Sequence, residues 1–147
     1  MTQREGLEKM AKYCLYQERC QLDVRVKLFT SGLADDEVDN IICDLIAQNF
    51  IDELRFARAF SRGKFNIKGW GKIKIKQHLK QKKISDYCIN KGLSEISSED
   101  YYCKLTELLQ KKKSLLNADN EFVKKQKIAR FLIGKGFESE MVWEELS

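Results

Sequence analysis

Apolar residues recur along this chain in one spacing used three times: an apolar position, a second four residues on, a third five further, and a fourth five beyond that. The copies are Val24, Leu28, Leu33 and Val38; Ile75, Leu79, Ile84 and Ile89; and Ile128, Leu132, Phe137 and Val142. Ile42, Leu93 and Leu146 extend them by four residues each. Self-similarity on this scale marks a repeat architecture. Residues at i and i+4 share one face of an α-helix, whereas a step of five breaks that face, so each copy predicts a helix, a tight corner and a second helix. Gly32 and Gly136 stand just before the corner residue, where glycine takes the left-handed conformation that ends a helix. The second copy has Lys83 in that place; a left-handed lysine costs about 1 kcal/mol. Asp35, Ser85 and Ser139 are candidate N-caps for the helix after each corner.

A further helix-like stretch precedes each pair. In the first unit it runs from about Leu7 to Arg19, with Met10, Ala11, Cys14 and Leu15 on one side. In the second it follows a capping Asp52, with Phe56, Ala57 and Phe60 as the buried edge; in the third, Ser97 caps and Tyr101, Leu105, Leu108 and Leu109 follow at helical spacing. The expected fold is all-α, with three tandem three-helix repeats over residues 1–50, 51–96 and 97–147. Units this small need their neighbours, so they are expected to stack into an elongated or curved body. Phe56, Phe60, Trp70, Ile75, Leu79 and Ile84 should form the core of the central repeat.

Composition agrees with helices and narrows the chemistry. Proline is absent from all 147 residues, which leaves helices unbroken. The cysteines, Cys14, Cys20, Cys43, Cys88 and Cys103, are odd in number and form no C-x-x-C pair. They suit a reducing compartment and are expected to be small buried hydrophobes. With no apolar leader and no stretch near the ~20 residues that span a bilayer, the expected location is cytoplasmic. His78 is the single histidine and has no nucleophile motif or metal-ligand spacing beside it. Glycine-rich nucleotide loops are missing too. The reading is therefore a protein that is not an enzyme, with no catalytic residues, no metal and no cofactor.

Charge changes this picture more than composition does. The net charge is only +5, yet between Glu53 and Asp86 there is no acid and there are eleven basic residues. Lys72, Lys76, Lys80 and Lys83 lie along one helical stripe, and each like-charged i, i+4 pair costs an isolated helix roughly 0.2–0.5 kcal/mol. An anionic surface would offset that repulsion. The candidate contact residues are Arg55, Arg58, Arg62, Lys64, Lys68, Lys72, Lys76 and Lys80. The glycines beside Trp70 either shape a turn or let the chain approach a partner, with packing the expected role of Trp70 itself.

The run Ile51-Asp52, Arg55-Phe56-Ala57, Gly69-Trp70-Gly71 and Lys82-Lys83-Ile84 resembles, in order and spacing, the central pattern of the RecX family, bacterial regulators of the RecA recombinase. Arg19-Cys20, Lys27-Leu28 and Gly32-Leu33 extend the similarity into the first unit; Cys20, Lys72 and Lys83 depart from the family's usual Ser, Pro and Gly, and the third unit matches through its apolar skeleton alone. The resemblance implies a protein that binds the RecA–DNA filament along its groove and restrains strand exchange, ATP hydrolysis and co-protease activity without performing chemistry itself. The chain is expected to be a monomer, with no membrane partner and with single- or double-stranded DNA as a further contact. The alternative is a direct DNA binder of the helix-turn-helix kind.

Overall fold

The computed structural model describes residues 1–117 and 120–147, and among these every regular element is helical. The helices are α1 (Gln3–Tyr16), α2 (Gln21–Leu28), α3 (Asp35–Ala47), α4 (Glu53–Asn66), α5 (Lys72–Gln81), α6 (Asp86–Leu93), α7 (Ser98–Leu115), α8 (Glu121–Gly134) and α9 (Ser139–Leu146). The extensive helix–helix contacts all fall inside consecutive triplets: α1 and α2 on α3, α4 on both α5 and α6, α5 on α6, and α8 on both α7 and α9. Triplets that touch mainly at junctions leave more surface exposed than a single ball would. The accessible surface is 9276 Å², against roughly 7,800 Å² for a compact monomer of 17.2 kDa, as an elongated stack requires.

The repeated spacing is buried almost throughout. Of its twelve positions, Leu33 and Val38 are half-buried and the other ten are buried. All three corners are left-handed, at Gly32 (φ 84°), Lys83 (φ 64°) and Gly136 (φ 102°), so the lysine adopts the glycine conformation. Asp52, Ser85 and Ser97 cap as expected, accepting from the amides of Arg55, Cys88 and Asp100. Asp35 and Ser139 do not. They are the first residues inside α3 and α9, and the caps are Ala34 and Glu138, neither with a side-chain bond. Helix α1 likewise begins four residues before Leu7 and ends at Tyr16. Leu15, expected on its buried side, is exposed, because Met10 and Cys14 at i, i+4 define the buried stripe and Leu15 lies about 100° round from Cys14. The cysteines divide as well: Cys14 and Cys20 are buried, Cys88 is half-buried, and Cys43 and Cys103 are exposed.

Two junctions hold the triplets together, by different chemistry. Helices α4–α9 share one buried cluster, whereas α1–α3 form a second with Ile51. Between the second and third triplets the backbones meet: Gly71 N–H donates to Lys135 C=O at 2.8 Å and Ile73 N–H to Gly136 C=O at 3.0 Å. A side chain on Gly71 would overlap the carbonyl of Gly136 and the amide of Phe137. The approach that glycine permits here is thus toward the chain's own third triplet. Tyr101 completes the seam, accepting from Lys72 N–H at 2.9 Å and donating to Glu138; burial and that carboxylate push its phenol well above the ordinary range.

The junction of the first and second triplets is mostly ionic. Arg55 Nε meets Glu18 Oε2 at 2.5 Å and Lys82 Nζ meets Asp23 Oδ1 at 2.8 Å. Cys20, the N-cap of α2, is fully buried in the cluster of the other two triplets, and its N–H is held by Asp23 Oδ2 at 3.1 Å. A small apolar side chain suits that position, and burial raises its thiol to about 11.

Candidate functional site

Helix α5 starts from Gly71, whose φ of −76° is ordinary. Its buried residues, Ile75 and Leu79, divide the remaining positions into two flanks by helical geometry. One flank carries Lys72, Lys76 and Lys80. Lys72 is half-buried with its ammonium 4.9 Å from the Tyr101 ring centroid. Lys76 and Lys80 are exposed, and among the described residues neither has a carboxylate partner.

The other flank faces Trp70. Lys74 Nζ lies 4.6 Å from the indole centroid, Lys64 Nζ 4.9 Å, and the His78 ring 4.5 Å. Phe60 packs edge-on at 6.4 Å and is itself stacked on Phe56 at 5.7 Å. Ammonium groups rest over an aromatic face because its quadrupole is negative there. Burial, then the charges of Lys74, Lys64 and Lys82, lower the His78 imidazole below its ordinary value. A groove of about 580 Å³ runs from this ring toward the first triplet, lined among others by Glu18, Arg19, Lys64, Trp70, His78 and Lys82.

The arginines of α4 are differently disposed from these lysines. Arg55, beyond its pair with Glu18, donates to the carbonyls of Asn49 at 3.1 Å and Phe50 at 3.3 Å. It acts at the junction, as the planar fork of a guanidinium allows. Arg58 and Arg62 both meet Glu95 Oε1, at 3.2 and 3.6 Å; two guanidiniums on one carboxylate leave one positive charge over. Lys68 is exposed, and its carbonyl accepts from Lys135 Nζ at 2.6 Å. Burial, then Lys74, Lys104 and Lys68, depress the Lys135 ammonium. Lys74, Lys104 and Lys135 were missed by the stripe argument: Lys74 lies off the i, i+4 row, and the other two arrive from α7 and just beyond α8. The six core candidates of the central repeat are gathered around this face, with Phe56, Ile75, Leu79 and Ile84 buried and Phe60 and Trp70 packed against them. Among the described residues no group of three or more His, Cys, Asp or Glu side chains could hold a metal ion.

The profile of the second three-helix domain of RecX matches residues 52–93, and that of the third matches residues 99–146. Together they take in more than half of the chain. The chain belongs to the RecX family. A regulatory protein RecX of Prosthecochloris aestuarii is 27% identical over 143 residues, covering 97% of this chain and 92% of the relative. Another, from Halalkalibacterium halodurans, is 28% identical over 132 residues, covering 90% of this chain but 50% of the relative, so against that RecX the chain spans half the length. The crystal structure of RecX from Lactobacillus salivarius superposes with a TM-score of 0.83 at 26% identity, covering 98% of this chain and 96% of that one. A second crystal structure of regulatory protein RecX gives 0.86 at 28%, covering 98% and 70%. The Gly69-Trp70-Gly71 segment that carries the family resemblance is thus, in this RecX chain, the seam between the second and third triplets.

Proposed function

We propose that this chain binds the RecA–DNA filament in the cytoplasm and restrains its recombinase, ATPase and co-protease activities without performing chemistry itself. Residues 1–50, 51–96 and 97–147 serve as three stacked units, and the second meets the filament. The observation that carries this reading is the row Lys72, Lys76 and Lys80, where the exposed ammonium groups of Lys76 and Lys80 have no carboxylate partner among the described residues. Uncompensated positive charge of one sign on an extended body suits a long polyanion or an acidic polymer surface. Arg55 belongs to the ionic junction and drops out of the contact set, while Arg58 and Arg62 contribute only their residual charge.

Reversing Lys72, Lys76 and Lys80 to Glu should leave the helical signal near native and abolish co-sedimentation with RecA filaments assembled on single-stranded DNA. Undiminished co-sedimentation of that variant would sink the assignment of this row. A direct DNA binder would instead show tight, sequence-preferring binding to bare duplex at physiological salt, where a footprint of phosphate contacts alone is weak.

A further inference from the structure

The lysine row accounts for one flank of α5; the other flank, built around Trp70, has no part in it. Lys64 and Lys74 lie 4.9 and 4.6 Å from the indole centroid, His78 lies against the ring, and Lys135 Nζ donates to the Lys68 carbonyl at 2.6 Å on the adjoining Gly69 turn. A side chain on Gly69 would come within 3.6 Å of Lys135 Nζ, which places that ammonium directly over the loop carrying the tryptophan. The cluster draws on α4, α5, the loop between them and the corner after α8.

Folding alone gives no reason to converge four lysine side chains around one histidine and one indole. Partial burial and then repulsion from neighbouring lysines already depress Lys135 and His78, and like charges gathered at one point cost stability. The groove's own carboxylates offer no relief, because Glu18 is spent on Arg55 and Asp23 on Lys82. What remains is an aromatic ring contacted by two lysines, His78 and Phe60, with an open groove beside it and the exposed Ile67 at its edge.

We infer that the Trp70 flank is a binding site for single-stranded nucleic acid, in which a base stacks on the indole while Lys64, Lys68, Lys74 and Lys135 take the adjoining phosphates. An aromatic platform inside a cationic groove is the arrangement that sequence-tolerant strand binding uses, since every base presents a π-face. An acidic protein segment would satisfy the lysines but would leave the ring without a partner, and so fits less of the site. The inference deepens the filament reading by naming the component that this flank meets, and it rests on that reading for its biological setting.

The test uses the full chain without recombinase. With Trp143→Phe, Trp70 is the only tryptophan left of the two, and its fluorescence reports on the site directly. Titration with a short oligothymidylate should quench it, and labelled-oligonucleotide anisotropy should show roughly tenfold weaker binding for Trp70→Leu. Lys64→Gln/Lys74→Gln should weaken binding while keeping the native helical signal, and an abasic strand of equal length should bind less well than thymidylate. Absent quenching, abasic binding as tight as thymidylate, or equal competition by polyglutamate would each overturn the site. Inhibition of RecA by a protein that fails this titration would leave the filament reading standing and remove the strand site alone.

Discussion

Replacing Gly71 by alanine tests how the second and third triplets are joined. Gly71 has a φ of −76°, so alanine is not excluded by backbone conformation. The obstacle is the added methyl, which would overlap the carbonyl of Gly136 and the amide of Phe137, both backbone atoms with no rotamer to change. Relief requires the seam to open, and the bonds in its path are Gly71 N–H to Lys135 C=O at 2.8 Å and Ile73 N–H to Gly136 C=O at 3.0 Å. A buried polar group left unpaired costs about 1–3 kcal/mol, so the loss of both bonds destabilises by about 2–5 kcal/mol after partial relaxation. Urea unfolding followed by far-ultraviolet circular dichroism gives the value. Gly63→Ala is the control: Gly63 lies inside α4 with nothing within 4 Å of an added Cβ, and alanine there should stabilise by about 1 kcal/mol. A Gly71→Ala midpoint equal to wild type would refute the seam as the reason for this glycine.

Other substitutions probe the corners and the ionic junction. Lys83→Gly should raise stability by about 1 kcal/mol, because it removes a side chain from the left-handed region at φ 64°; a loss of stability would mean that Lys83 makes a compensating contact. Asp23→Asn should flatten the acid limb of the stability curve. Burial acts to raise the Asp23 carboxyl, but the Lys82 ammonium and the Cys20 amide together hold it below its ordinary value. Its contribution is therefore complete above about pH 3.9 and is lost as pH falls through the lower folded value. Parallel acid limbs for wild type and variant would contradict that sign.

Nearly all of the fold was legible in the spacing of apolar residues, since positions such as Ile75, Leu79, Ile84 and Ile89 can be buried together only by two helices meeting at a corner. The helix starts were less legible. Asp35 and Ser139 have the chemistry of caps yet sit one residue inside, because the packed positions Val38 and Val142 set the register and a cap worth about 1 kcal/mol does not override it. For the candidate site, sequence reveals charge but not pairing. Arg55 and Lys76 both read as basic residues in an acid-free run, and only the folded chain shows Glu18, 37 residues away, meeting the first while Lys76 stands exposed. Lys104 and Lys135 could not have been assigned to the face of α5, for their approach depends on a backbone contact at Gly71 that no periodicity encodes.

The most direct test of the central claim is ATP hydrolysis by RecA on single-stranded DNA, followed while this protein is added at increasing ratio. The account predicts that hydrolysis falls with wild-type protein and persists with Lys72, Lys76 and Lys80 reversed to Glu, both proteins being equally helical. Hydrolysis that continues at its full rate in the presence of saturating wild-type protein would contradict it.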